Sequence, residues 1–506
     1  MGKETSISSA LLYQYAGAAA FVFSGGVFWI ILAKFFTTAQ VGTVSLLLAI
    51  TGILMTIFSM SLPVAASHFI SFNLGKRNYG EAKHLISRLI LISFLLSLVA
   101  AIFIFFASGE LSALFFHSSS DVTLIRMASL YVAATIIFGI LHGAMLGLQL
   151  FRNDGIIYLS SASVSYFVGL LFLFLFHGIL YLVVGLTMSY VWGSIIYILV
   201  IFLKMPRNKG RKEVTSLGQV VSYALPLVLS SAIGYGSQNV DKFVVSYFLN
   251  VSTLGIYSFV LTVSFSLTFL SGPITNILLP KLSEYFSVDD NEKIKKGLDL
   301  SIGFTIFMYF PLAIGMASVA PIVLSVLARS IYVSGYIPFD ILLAASCIYV
   351  LGGLISTLLS AIRKTKIYLI SALSTAASNI VLSFILIPKI GLVGAAVANS
   401  SVYIVSFIVI YYFSILKGIR HFDWVTVVKI SLSSLFMFIA VSLERNFLGN
   451  HVLLLPLYIL TGGVVYFVFL NLMHSLGRIG KDQFLSQVPA AFGLKKIAKI
   501  LLVSAF

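Results

Sequence analysis

The chain has 506 residues, of which 59% are hydrophobic and 9% charged, and its mean hydropathy is +1.07. So few charges cannot cover a soluble domain of this size, which excludes that class. Its formal net charge of +16 would suggest nucleic acid in a soluble protein. Here the basic residues fall between apolar runs, where the positive-inside bias accounts for them, and no nucleic-acid partner is expected.

Repeated apolar runs of about 20 residues match the hydrocarbon core of a bilayer, and their lack of alternation excludes a transmembrane β-barrel. The single cysteine, Cys347, allows neither an internal disulfide nor a thiolate metal site. In chain order, "MGKETSISSALLYQYAGAAAFVF" lacks a cleavable-signal pattern and opens an uncleaved first span. Fourteen spans follow from hydropathy. The first six are Ala10–Ala33, Val41–Leu62, Leu85–Ala107, Val122–Leu150, Ile156–Leu175 and Ile179–Leu203. The next six are Gln219–Leu249, Thr253–Leu279, Leu300–Leu327, Phe339–Ala361, Ile367–Ile387 and Leu392–Leu416. Trp424–Leu443 and Val452–Met473 close the series. The expected fold class is an all-α polytopic membrane protein.

Most of the 32 Lys and Arg gather on the side of the N-terminus, and only Lys34, Arg329, Lys389 and Arg445 fall in loops on the other. That asymmetry places both termini in the cytoplasm. External segments are short, the longest being near "ASGELSALFFHSSS", so no external catalytic domain is expected. The organisation reads as an N-terminal lobe (1–203), a basic cytoplasmic linker (204–218), a C-terminal lobe (219–417), an extra helix pair (418–475) and a tail (476–506). The tail "VPAAFGLKKIAKILLVSAF" sets Lys495, Lys496 and Lys499 among apolar residues, as in a helix lying on an anionic leaflet.

An internal repeat relates the lobes. "WIILAKFFTTAQVGTVSLLL" aligns with "KFVVSYFLNVSTLGIYSFVL" at a constant offset of 213, matching Phe35, Gly42, Ser45 and Leu48 to Phe248, Gly255, Ser258 and Leu261. A second block places Gly185 over Gly394 at a similar offset. Each offset carries six spans onto the next six, so the lobes keep one orientation and are expected to be related by a pseudo-two-fold axis along the membrane normal.

Within "SALSTAASNIVLSFILIPKIGLVGAAVANSSVYIVSFI", Asn379, "LIPKIG" (Leu386–Gly391) and "GLVGAAVA" (Gly391–Ala398) resemble the polysaccharide transporter family. These are Wzx-type flippases of the multidrug/oligosaccharidyl-lipid/polysaccharide superfamily. "DKFVVSYFLNVSTLGIYSF" (Asp241–Phe259) is a second family-like block. The resemblance implies two six-helix lobes around a central cavity, alternating access, and transfer of a lipid-linked oligosaccharide from the inner to the outer leaflet. Its implied partners are that glycolipid, membrane lipids and glycan-assembly proteins. No cofactor is implied, and the coupling ion, proton or sodium, is left open. The alternative within the superfamily is a cation-coupled multidrug exporter; fourteen spans rather than twelve favour the glycan-lipid members.

The candidate cavity residues begin with Asp241, since a charge within a span costs about 2.5–3.5 kcal/mol unless it faces protein or water. Ser230, Gly234, Ser237 and Asp241 share one helix face, with Gln238 beside it, forming a polar stripe expected to line the cavity. Asp241 lies roughly 10 Å beyond the middle of its span, and the alternative to a cavity role is a structural ion pair with Arg126. At the repeat offset its counterpart is Phe28, so the acid belongs to one lobe only. Arg88 and Arg126 could hold a pyrophosphate through their guanidinium forks, or snorkel from helix ends. Trp192 is a candidate sugar contact. Gln14, His142 and Asn379 read first as interhelical hydrogen-bonding groups. Asn250-Val251-Ser252 forms a glycosylation sequon. No phosphate-binding glycine loop or metal-ligand spacing is present. The run "VDDNE" (Val288–Glu292) beside Lys293, Lys295 and Lys296 reads as a solvated charge cluster, and an enzyme is not expected.

Overall fold

The computed structural model describes residues 7–116, 122–205, 215–272, 290–361, 366–416 and 423–473, with isolated positions between 273 and 289. Side chains of the first helix are described from Ala20, so Gln14 is not among them. The tail 476–506 and most of the linker lie outside the described residues.

The helices follow in order: α1 (Ile7–Phe35), α2 (Thr38–Phe58), α3 (Leu62–Gly75), α4 (Tyr79–Phe106), α5 (Ser108–Phe115) and α6 (Val122–Gly147). Next come α7 (Phe151–Tyr158), α8 (Val164–Phe176), α9 (Ile179–Lys204), α10 (Leu217–Phe248) and α11 (Val251–Ser266). The remainder are α12 (Asn291–Ser318), α13 (Ala320–Leu327), α14 (Tyr336–Ala361), α15 (Lys366–Leu416), α16 (Trp424–Leu448) and α17 (Leu455–Leu472). Among the described residues twelve helical stretches are long and apolar enough to cross a membrane, and Ala20–Phe35 is a shorter apolar one. One of the twelve, within α15, is two helices joined at a break where Ile390 (φ −128°) and Gly391 (φ 60°) leave helical geometry just after Pro388.

Exposure confirms the membrane setting. Along α4, Leu91, Phe94, Leu95, Leu98 and Ile102 are all exposed; they share one helical face, and such a stripe is stable only against lipid.

Two expected boundaries are corrected. Val41–Leu62 is not one helix: α2 stops before Met60 (φ 49°) and Ser61 (φ 48°), and α3 restarts with Pro63 in its first turn. Proline disfavours a helical residue before it and suits the start of a helix, so the chain breaks there. The segment expected as a loop after Ala107 is partly helical, because Ser108 and Ser112 of α5 are buried. Local chemistry sets other ends. Thr37 and Gln40 form a reciprocal capping box at α2, with Thr37 N–H donating to Gln40 Oε1 at 3.0 Å. Asn250 of the sequon accepts the Thr253 N–H at 2.7 Å and so caps α11.

The chain divides into two compact units, Met1–Ser258 and Phe259–Phe506. The division falls later than the expected linker because α10 and the start of α11 pack on α2 and α3. In the first unit α6 is central, flanked by α3, α4 and α9. Its Gly143 lies so close to α3 that an added Cβ would strike the Pro63 carbonyl. In the second unit α12 packs on α14 and α16, and α16 on α17. Arg445 donates to the Ser318 carbonyl at 2.8 Å and Phe436 stacks on Phe469 with centroids 4.2 Å apart, fixing the last helix pair to that unit. The repeat-related Gly185 and Gly394 play matching parts: a Cβ on either would lie 2.7 Å from Val168 O and 2.5 Å from Leu386 O respectively.

A close crossing lies between α2 and α11. A Cβ on Gly42 would collide with the Val251 carbonyl, and one on Gly255 with the Thr38 carbonyl. One turn on, Ser45 Oγ donates to Ser258 Oγ at 2.6 Å in a buried position. Gly255→Ala should therefore lower the thermal unfolding midpoint in detergent, by an overpacking cost of about 1–3 kcal/mol. Gly353→Ala, where nothing lies within 4 Å, should leave it nearly unchanged.

Candidate functional site

Helix α10 carries the expected polar stripe, and three sets of contacts hold it in the first unit. At its start Ser216 and Gln219 form a capping box. The residue before, Thr215, is bound through every polar atom. Its N–H donates to Glu81 Oε1 at 3.0 Å, its Oγ1 accepts from Asn73 Nδ2 at 3.0 Å, and its carbonyl accepts from Arg88 Nη1 at 3.3 Å. Arg88 also lies 3.9 Å from Glu81. This candidate phosphate ligand is thus a member of a clamp that joins the start of α10 to α3 and α4.

Midway, Tyr235 Oη donates to the Leu48 carbonyl at 3.3 Å, over Gly52, where any side chain would meet the tyrosine hydroxyl. Toward its C-terminal end Ser237 and Asp241 are buried, Asp241 completely. Tyr257 of α11 donates its hydroxyl to Asp241 Oδ2. Since Ser258 bonds Ser45, two adjacent residues of α11 link α10 and α2 through a buried polar node. An ionised carboxylate inside a helix bundle is stable only with such partners. Phe28, the repeat counterpart of Asp241, is equally buried; the position is interior in both copies, and only the second polarises it.

The stripe is unevenly covered: Ser237 and Asp241 are buried beneath α2 and α11, Ser230 two turns earlier is exposed, and Gln238, about 100° round the helix from Ser237, is exposed as well. Ser230 bonds its own helix, donating to the Pro226 carbonyl at 3.1 Å. The Arg126 guanidinium donates to Ser108 Oγ at 3.2 Å and lies 5.0 Å from the Phe105 ring centroid, so its partners here are α5 and the end of α4. Lys242, next to Asp241, is half-buried. Trp192 is 56% exposed and borders an apolar cavity of about 390 Å³ between α6 and α9, shared with Met127, Leu130, Thr187 and Met188. Asn379 lies in the second unit, fully buried, and accepts the Ser383 hydroxyl at 2.9 Å. The seven candidates of the first unit do not form one shell: Asp241 and Ser237 are buried, Ser230 and Gln238 are exposed on α10, Arg88 and Arg126 sit at separate latches, and Trp192 borders an apolar groove.

Sequence reasoning missed Tyr257, Thr215 and Asp154. Asp154 is buried, accepts from Tyr197 Oη at 2.8 Å and meets His142 Nδ1 at 2.8 Å. Its signal was scarcity: with 16 Asp and Glu in the whole chain, each acid beside a span needs a partner. Of the "VDDNE" run, Asp290 pairs with Lys293 and Glu292 with Lys296, each at 2.7 Å, while Val288 and Asp289 lie outside the described residues. Hydrogen bonds from the Lys293 side chain and backbone hold the Asp290 carboxyl below its usual range.

The family described as "Polysaccharide biosynthesis protein" matches residues 10–286, and that described as "Lipid II flippase MurJ" matches residues 158–473. A curated relative, "Uncharacterized membrane protein MJ1068" of Methanocaldococcus jannaschii, is 24% identical over 59% of this chain and 59% of its own length. The "Probable low-salt glycan biosynthesis flippase Agl15" of Haloferax volcanii is 22% identical over 43% of this chain and 45% of its own. The chain thus spans less than two thirds of either relative. Among solved structures, a lipid II flippase MurJ in an inward closed conformation superposes with a TM-score of 0.73 at 17% identity, covering 92% of this chain and 98% of that one. An inward-facing multidrug resistance MATE family transporter gives 0.65 at 15% identity, covering 79% and 96%.

Tyr257→Phe should cost about 1.5–3 kcal/mol, the range for a hydrogen bond to a charged group, read as a lower thermal midpoint. Asp241→Asn keeps an acceptor for the same hydroxyl and should cost less. A neutral Tyr257→Phe would show that this bond does not hold Asp241. Both family matches cover more than half of the chain, so this multi-pass membrane protein belongs to the polysaccharide transporter family of the multidrug/oligosaccharidyl-lipid/polysaccharide superfamily.

Proposed function

We propose that this protein moves a lipid-linked oligosaccharide from the cytoplasmic to the outer leaflet by alternating access, with both termini in the cytoplasm. The observation that carries the reading is the MurJ-like fold over nearly the whole chain; the match to a glycan flippase sequence supports the same cargo class. The head group is polar and the carrier tail apolar, which a polar interior bordered by exposed apolar helix faces can divide between protein and bilayer. The exposed Ser230 and Gln238 face of α10 supplies hydrogen-bonding groups for sugar hydroxyls. Passage of so large a head group requires helix contacts to open in turn, and in this reading the α2–α11 crossing is one that parts. The resemblance to MATE transporters supports a second reading, cation-coupled drug export, on the same scaffold.

Purified protein in liposomes loaded with the host's lipid-linked oligosaccharide tests this. The protein should raise several-fold, over empty liposomes, the fraction of cargo that an external lectin or glycosidase can reach. Folded protein that leaves this fraction at the empty-liposome level, yet moves a lipophilic cation, would replace flipping by drug export.

A further inference from the structure

We propose that His68 and Tyr223, with Lys76 beside them, form a subsite for the phosphate-linked sugar of a glycolipid head group. The class of ligand rests on the flipping reading; the residues are ones that reading leaves unassigned.

The subsite lies within the first unit, where α3 meets the first turns of α10. The His68 and Tyr223 rings stack with centroids 4.8 Å apart and planes 9° from parallel. Phe72, one turn on from His68, lies 6.3 Å from it at 19°. Phe69 stands nearly perpendicular to both members of the stack, 5.1 Å from His68 and 5.6 Å from Tyr223. Lys76 folds back over Phe72, its Nζ 4.7 Å from the ring centroid. Spaced four apart, His68, Phe72 and Lys76 share one face of α3, and all three are exposed, as is Tyr223. The His68 ring nitrogens and the Tyr223 hydroxyl make no hydrogen bond within the described residues.

Position separates this group from an ordinary interfacial anchor. Such anchors present a tyrosine or lysine at a helix end. Tyr223 stands roughly 12 Å along the chain axis from the Thr215 clamp, and His68 roughly 10 Å before the end of α3. An imidazole exposed that far from the helix end faces water or a polar ligand rather than lipid. The lipid-facing stripe of α4, by contrast, is wholly apolar. Ser230 follows Tyr223 by seven residues on the same face of α10 and is also exposed. The stack therefore continues the polar face that the flipping reading gives to sugar hydroxyls.

The chemistry suits a sugar phosphate. A pyranose alternates apolar C–H surface with hydroxyls, and Tyr and His each join an apolar ring to a polar tip. Stacking fixes both rings beforehand, so little conformational freedom is lost when a sugar settles against them. Lys76 adds a compact positive charge on the same face of α3, for the phosphate between sugar and carrier.

Equilibrium binding to purified full-length protein in detergent tests this apart from transport. Two radiolabelled probes are compared: the host's lipid-linked oligosaccharide, and its carrier phosphate after mild acid has removed the sugar. Wild type should bind the sugar-bearing probe several-fold more tightly. His68→Phe and Tyr223→Phe keep the stacked rings and the thermal midpoint but lose the polar tips, and each should lose most of that preference. Lys76→Gln should weaken both probes by the same factor. Wild-type preference persisting in both phenylalanine variants, or no preference in wild type, overturns the subsite and leaves the stack an interfacial anchor. Wild type that shows the preference yet fails the liposome assay would sink the flipping reading and keep the subsite; flipping without the preference would do the reverse.

Discussion

The close crossing of α2 and α11 is the constraint on which the rest of the first unit depends. Lipid offers no hydrophobic reason for apolar helices to associate, so contact must come from surfaces that fit closely and from hydrogen bonds between helices. Gly42 and Gly255 provide the fit, each lying against a carbonyl of the other helix, and Ser45 and Ser258 provide the hydrogen bond. With α11 held there, Tyr257 is brought to Asp241, and a carboxylate that lipid would not tolerate becomes part of the interior. The same contacts explain why α10 belongs to the first compact unit.

The paired residues at this crossing carry further meaning. Gly42 aligns with Gly255 and Ser45 with Ser258 in the sequence repeat, and the aligned residues touch each other. The contact therefore joins residues that the repeat makes equivalent, and each copy contributes the same glycine and the same hydroxyl to it. The Thr215 clamp provides a polar hold at the other end of α10.

Much of this was legible in the chain. Hydropathy located the spans because each must satisfy its backbone internally and present apolar side chains to lipid, and the repeat picked out Gly42, Ser45, Gly185 and their partners. Asp241 stood out because a charge in a span is costly. What periodicity could not supply was partnership at long range. Arg88 finds Thr215 127 positions away, and Asp154 finds Tyr197 43 positions away. Without those partners Arg88 reads as a pyrophosphate ligand or a snorkelling helix-end residue, and Asp154 attracts no reading at all. The polar stripe failed as a unit for a related reason: a helix face is defined by rotation alone, whereas burial depends on how far along it a neighbour extends. The break at Met60 and Ser61 is hidden in hydropathy because the apolar run continues through it to Leu62, one residue before Pro63.

The most direct test of the account is a reversible lock on the α2–α11 crossing. Ser45→Cys and Ser258→Cys, combined with Cys347→Ser, place two thiols where the hydroxyls lie 2.6 Å apart, within reach of a disulfide. Flipping of the lipid-linked oligosaccharide should stop when the pair is oxidised and return on reduction. Flipping at the unlinked rate by fully cross-linked protein would contradict the claim that this crossing must part.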